Sequence, residues 1–303
     1  MTLPNPVAIA TPIFVLLIVF EMVAARFGGR AHFEPGDSLT SLAMGFGSTF
    51  AGALTASAVA ALAAFLYQFR VFDIGWSWYA FVAAFVLDDL AYYWFHRTAH
   101  RVRWFWASHV IHHSSQHYNL TTALRQTWTS FISISFIFRW PLLLIGFPWE
   151  MVVFVAGINL VYQFWIHTET IDRFPRWFEA VMNTPSHHRV HHATNPDYLD
   201  ANYAGVFIVW DKLFRSFVPE DPAEPCRYGI VRNLGTFNPL KVAFHEWIAI
   251  AKDVRNARGW RDRLLYLFGP PGWSPDGSRD TSDMLKAKWR RRTHAHPAGL
   301  GTA

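Results

Sequence analysis

The sequence predicts an all-α fold: an integral membrane bundle of four or five apolar helices, joined to a cytoplasmic helical part. Three observations predict it. Of 303 residues 52% are hydrophobic and 16% charged, yet the mean hydropathy is only +0.12. That average fits a chain divided between lipid and water, with enough length for one domain and a sizeable core. The apolar residues are gathered into long runs, and most of the histidines stand at or just beyond the ends of those runs.

The runs come in order. Residues 7–25 are apolar except for Glu21, residues 39–69 carry no charge, and residues 76–95 are apolar except for Asp88 and Asp89. Two shorter runs, 131–147 and 149–167, meet at Gly146, Phe147 and Pro148. Each approaches the roughly 17–25 residues that cross a hydrocarbon core. The last two read as a tight hairpin that need not fully cross. No Lys or Arg precedes the first run and no clear cleavage site follows it, so it reads as an uncleaved span rather than a signal peptide.

Arginines set the expected orientation. Arg26 and Arg30 follow the first run, and Arg97, Arg101, Arg103 and Arg125 follow the third, whereas Arg70 stands almost alone between the second and third. The amino terminus is then outside, and the segments after Phe95 and after His167 are cytoplasmic. The expected location is a multi-pass place in the membrane, the plasma or inner membrane if the source is prokaryotic.

Beyond Arg173 the composition turns polar. Residues 240–257 alternate apolar and charged side chains at helical spacing, which suits either a membrane-surface helix or a core-facing one. Residues 269–281 form a Pro/Gly-rich loop. Residues 1–292 read as a single domain and 293–303 as a flexible tail holding His294 and His296.

Totals exclude other classes. With Cys226 as the single cysteine, one chain cannot build a disulfide, a thiolate zinc site or an iron–sulfur cluster. The net charge of +5 is weak support for nucleic acid, and no nucleic-acid partner is expected.

Eleven of the fifteen histidines fall between His96 and His192, where even scatter would place roughly five. His96 and His100 form HRTAH; His109, His112 and His113 form HVIHH; His188, His191 and His192 form HRVHH. Residues three and four apart share a helix face. Each HxxHH is therefore expected to point three imidazoles at one place, and HxxxH two. Eight nitrogen ligands are too many for one first-row metal and about right for two. His167, with Gln163 one turn earlier, offers a ninth. His117 and His187 lie off the pattern, and His32 and His245 are isolated.

Imidazole suits iron, copper, zinc and nickel. The Glu-plus-ExxH pattern of ferritin-like di-iron bundles is absent, and a zinc hydrolase needs only three ligands. Ligating imidazoles need partners for their outer nitrogens. Asp88 and Asp89 are candidates, since a carboxylate inside an apolar helix is costly and usually functional. The expected second shell is Asp88, Asp89 and Gln163.

From Asp88 to Phe217 the chain resembles the fatty acid hydroxylase and sterol desaturase superfamily of membrane di-iron enzymes. The resemblance rests on DDLAYYWFHRTAH, WASHVIHHSSQHYNLTTALRQ, WIHTE, NTPSHHRVHHATN and NYAGVFIVWDKLF, with YGIVRNLGTFNPLKVAFHEW similar to the superfamily's tail. These phrases are most similar to its alkylglycerol monooxygenase branch, which uses tetrahydrobiopterin to hydroxylate ether lipids. The resemblance implies iron ligation by His96, His100, His109, His112, His113, His188, His191 and His192, and by His167. One departure is Arg215–Ser216, where related chains often read Gly-Thr.

The resemblance implies an O2-dependent oxidoreductase with two iron ions, acting on an acyl, alkyl or sterol-like lipid drawn from the bilayer. An aromatic shell (Trp94, Phe95, Trp104, Trp106, Phe164, Trp165) is expected along the path of that lipid. No Gly-rich dinucleotide fingerprint is present, so electrons must come from a separate reductase, a ferredoxin or a pterin such as tetrahydrobiopterin. Desaturation at the same site, and a metal transporter or metal-binding protein, are the alternatives. Transport would place polar ligands near mid-membrane rather than at one interface.

Overall fold

A computed structural model describes residues 3–295. Its helices are α1 Pro6–Arg26, α2 Pro35–Tyr67, α3 Trp78–Arg101, α4 Arg103–His113, α5 Ser130–Ser133, α6 Trp140–Ile145, α7 Trp149–Trp165, α8 Arg176–Glu179, α9 Pro185–His192, α10 Val209–Leu213, α11 Pro239–Asn256, α12 Trp260–Phe268 and α13 Ser282–Ala295. Among the described residues there is no strand, only two isolated bridges, Met182 with Phe207 and Ala193 with Tyr228. The tail expected at 293–303 begins inside α13, and from residue 296 it lies outside the described residues.

The long helices start where local chemistry starts them. Asn5 Oδ1 accepts from the Val7 and Ala8 amides at 3.0 and 3.3 Å, and Pro6 opens α1. Glu34 caps α2, with Pro35 at its first position. Ser77 caps α3. By length and composition α1 and α2 are long and apolar enough to cross a membrane. They leave large apolar side chains uncovered, among them Leu16, Phe20, Phe46 and Leu54. α3 continues past the apolar run to Arg101, so one helix carries both His96 and His100.

The run 131–147 is not the single helix its composition predicts. Ile134 takes a left-handed φ of 53° after the single turn of α5, a 3-10 turn spans Ser135–Arg139, and the six residues of α6 follow, with Pro141 near their start. Two causes act together. Pro141 has no amide to extend a helix upstream, and Arg139 turns inward to bond Asp88 Oδ1 at 2.6 Å. α6 stops at Gly146, whose φ of +122° and approach to the Phe72 carbonyl (2.0 Å from where a Cβ would stand) leave room only for glycine.

α7 packs along α3 and α1, and one core joins Ala80 and Ala84 to Leu142, Leu143, Met151, Val152 and Val155. A second core joins Met44, Val110 and Ile111 to Val242 and Ala243. α11 is therefore the core-facing helix of the two possibilities, held against α4 and α2. Two of the arginines counted for orientation are internal. Arg103 pairs with Glu246 and Asp253 at 2.6 and 2.7 Å, and Arg125 with Asp37 at 3.1 Å, all nearly shielded from solvent. Their charges are balanced within the fold.

Candidate metal centre

α3, α4, α9 and the end of α7 bring nine histidines together in two adjacent groups, each able to hold a metal ion. His96, His100, His109, His113 and His191 form one; His112, His167, His188 and His192 form the other. The boxes do not act as units, contrary to the expectation that each HxxHH points at one place. In each, the pair four apart (His109 and His113, His188 and His192) joins one group and the middle histidine joins the other. Helical rotation is the reason. At 3.6 residues per turn, residues four apart differ by about 40° around the axis, but the middle residue lies about 60° to the other side. The groups abut, with the His113 and His192 rings stacked at 4.3 Å between centroids.

The ring nitrogens converge as ligands do. Nε2–Nε2 separations are 2.9 Å for His96–His109, 3.1 Å for His109–His113 and 3.1 Å for His113–His191. In the second group they are 3.1 Å for His112–His167, 3.0 Å for His167–His188 and 3.2 Å for His188–His192. Neighbouring corners of an octahedron with bonds of about 2.1 Å lie about 3.0 Å apart. Hydrogen bonding alone does not account for the convergence. His96, His191 and His167 donate from Nδ1 to the carbonyls of Tyr203, Ala201 and Gln163 at 2.7, 2.8 and 2.7 Å. A carbonyl only accepts, so in each neutral ring Nε2 is a bare lone pair aimed at its neighbours. His100 Nε2 is buried with no hydrogen-bond partner. Inward lone pairs and an unpartnered buried nitrogen fit a pair of bound metal ions.

Burial, reinforced by neighbouring imidazoles, holds His109, His112, His113, His188, His191 and His192 well below the usual imidazole range. They are neutral at pH 7 and ready to ligate. The unfolded chain, with pKa values near 6.5, takes up protons first as the pH falls. Stability of the metal-free protein is therefore fully present above that value and lost below it. Chelator-treated protein should melt at progressively lower temperature between pH ~6.5 and ~5; a flat melting temperature over that range would contradict neutral buried imidazoles.

The loop from Asp200 to Ser216 aims two of the rings. Asp211 accepts the Tyr203 and Ala204 amides, both at 2.8 Å. Asp89 accepts the Val206 and Phe207 amides at 2.8 and 2.9 Å, the Trp210 indole at 2.9 Å and Asn159 at 2.9 Å. Between these carboxylates the carbonyls of Ala201 and Tyr203 are fixed to receive His191 and His96. The expected second shell thus has other partners: Asp88 takes Arg139, Asp89 holds the loop, and Gln163 serves His167 through its backbone. Asp200 is the carboxylate beside a ring, 3.5 Å from His100 Nδ1. Burial would raise its carboxyl, but His100 and Arg101 outweigh that and lower it.

Asp200, Tyr203, Gly205 and Asp211 are site residues that no spacing singles out, since side chains that bond loop backbone leave none; Tyr203, Gly205 and Asp211 lie in a stretch that carries the family resemblance. At Gly205 a Cβ would stand 2.7 Å from Asn159 Oδ1 and 2.8 Å from Asp89 Oδ1. Gly205→Ala is expected to cost about 2 kcal/mol, read as a lower melting temperature; an unchanged melt would mean the clamp is looser than it looks. Arg215 has a left-handed φ of 58°. Glycine adopts that conformation without penalty, which gives the Gly of related chains a physical reason. The Ser216 hydroxyl bonds Asp211 at 2.7 Å, a bond threonine would keep.

Of the expected aromatic shell, Phe95 and Trp106 reach the histidines, at 6.4 Å from His109 and 5.2 Å from His100. Trp104 packs on Trp247, Phe164 on Phe14, Trp165 on Phe174 and Trp94 on Phe214. Phe138 and Phe105 extend the wall from Phe95. His32, His117, His187 and His245 are outside both groups, His187 lying against Phe217.

Residues 81–216 match the family model of the fatty acid hydroxylase domain. The alkylglycerol monooxygenase of Homo sapiens is 40% identical over 91% of this chain and 62% of its own length. Those of Danio rerio and Caenorhabditis elegans are 38% and 35% identical, over 96% and 82% of this chain and 65% and 51% of theirs. The chain thus spans under two thirds of the length of these relatives. No solved structure matches. Every histidine of the two groups lies within the matched domain, and the chain belongs to the fatty acid hydroxylase family, in its alkylglycerol monooxygenase-like branch.

Proposed function

We propose that this chain is a membrane-bound di-iron enzyme that uses O2 to hydroxylate an unactivated C–H bond of a lipid, with alkyl-ether lipids the first candidates. The observation that carries the reading is the division of nine histidines into two abutting groups, inside a domain whose relatives are named alkylglycerol monooxygenase. His96, His100, His109, His113 and His191 would hold one iron, and His112, His167, His188 and His192 the other. With both bound, the centre supplies O2 activation and hydrogen abstraction.

The chain's own residues do the rest. The carbonyls of Tyr203, Ala201 and Gln163 hold three rings in the ligating tautomer. One histidine of each group, His109 and His112, is only partly buried, which supports substrate entry on that side. There Phe95, Phe105 and Phe138 form an aromatic wall suited to an alkyl chain and to excluding water. α1 and α2 would span the bilayer, with the histidines at its cytoplasmic face. Electrons would come from a reductase, a ferredoxin or tetrahydrobiopterin.

Purified protein should carry about two irons per chain, and host lipids should gain one oxygen when it is expressed. One zinc or no metal would refute the di-iron reading. Loss of two hydrogens would make the enzyme a desaturase, and unchanged lipids with altered cellular metal would favour transport.

A further inference from the structure

Outside the histidine groups, a cavity of about 350 Å³ lies between α8, the start of α9 and residues 212–220. Of its two acids, one is paired with a cation and the other is hydrogen-bonded to neutral donors. Glu220 receives Arg189 at 2.8 Å through both carboxylate oxygens, and Glu179 accepts Thr184, Ser186 and the Phe174 amide. Its cations are not matched to them. Arg176 makes no side-chain hydrogen bond or ion pair among the described residues. Lys212 donates only to the Glu179 and Ala180 carbonyls, at 3.1 and 2.7 Å, and Arg173 to the Glu220 carbonyl. Arg173, Arg176 and Lys212 thus surround one concavity with no carboxylate among the described residues in an ion pair with any of them; Glu220 is paired to Arg189 and Glu179 is the one lining acid without a cation, so the cavity keeps a net positive charge.

The rim is apolar. Trp177 and Leu213 are 75% and 62% exposed, with Val181 and Val209 beside them. The segment that carries Val209 and Leu213 packs on the apolar run of α3, Phe207 on Phe85 and Phe214 on Trp94. Uncovered tryptophan and aliphatic side chains next to cations without a carboxylate partner have the pattern of a bilayer interface.

We propose that this cavity binds the phosphate of an anionic bilayer phospholipid, whose acyl chains lie over Trp177, Val181 and Leu213. The proposal rests on the membrane part of the proposed function but uses neither iron nor O2. Its test is calorimetric titration of the purified full chain, in uncharged detergent, with dihexanoyl phosphatidic acid, dihexanoyl phosphatidylcholine and inorganic phosphate. Phosphatidic acid should bind, more weakly at high salt, and better than the other two. Arg176→Glu should weaken it by about tenfold or more, because a charge-assisted bond becomes a repulsion, and Lys212→Gln should act in the same direction. Arg176 has no partner to lose, so that variant should melt like the parent. No binding, or binding unaffected in Arg176→Glu, would overturn the site. Equal binding of inorganic phosphate would overturn the lipid assignment in favour of a free-phosphate site. A protein that hydroxylates lipid without binding phosphatidic acid would lose this proposal alone; one that binds it but never oxidises lipid would lose only the hydroxylase reading.

Discussion

Replacing His112 by alanine is expected to reduce iron from about two toward one per chain and to lower lipid oxygenation by more than about 100-fold. The group it serves has four histidines, so three remain, and its ring stands 3.1 Å from His167 through Nε2. Loss of a supporting residue around a metal typically costs 10–100-fold, and loss of a ligand itself should exceed that. The division of the groups adds a sharper comparison. His100→Ala leaves four histidines in its group and should retain more iron than His112→Ala. Metal analysis beside lipid mass spectrometry reads both effects. Full turnover in His112→Ala would remove this residue from the centre, and equal iron loss in the two variants would refute the five-and-four division.

A comparably large effect is expected far from any ligand atom. Asp89→Ala would leave two backbone amides and an indole N–H without their acceptor, and Asn159 with only its longer bond to Asp88. An unsatisfied buried donor costs about 1–3 kcal/mol, so the loss should be about 4 kcal/mol or more, a large part of the 5–15 kcal/mol that holds a typical domain together. Asp89→Asn keeps one accepting oxygen but turns an NH2 toward other donors, and should lose about half as much. Because the released loop also carries the Tyr203 and Ala201 carbonyls, iron content should fall with stability. Thermal unfolding in detergent, with metal analysis on the same samples, measures both. If Asp89→Ala melted with the parent, the loop would have to be held by something other than this carboxylate.

The histidine boxes were legible because metal ligation demands a rare residue at helical spacing, and His96 to His192 satisfy that demand in local sequence. Their partition was not, because it depends on how α3, α4 and α9 are rotated against one another. The apolar runs of α1, α2 and α3 were equally plain. Residues 131–147 misled because composition records burial and not backbone path; Pro141 was the visible warning, and the inward turn of Arg139 was not. Asp88 and Asp89 stood out as charges in an apolar helix, yet spacing alone could not say that they face Arg139 and a loop rather than an imidazole. The loop from Asp200 to Ser216 was legible only as a resemblance. Its work is done by side chains that bond backbone, and such bonds leave no periodic trace.

The crossing of His112 and His191 into the opposite groups has a geometric consequence. Since α4 and α9 each contribute to both groups, the separation of the two ligand sets is governed by the rotation of side chains around two short helices rather than by the slack of a connecting loop. A regular helix fixes the angle between its side chains, and each of these serves both groups, one group through the two ends of its box and the other through the middle histidine. Metals held by these two sets would therefore be kept at a spacing that the helices, and not the loops, determine. Neither half of the centre can drift without carrying the other along.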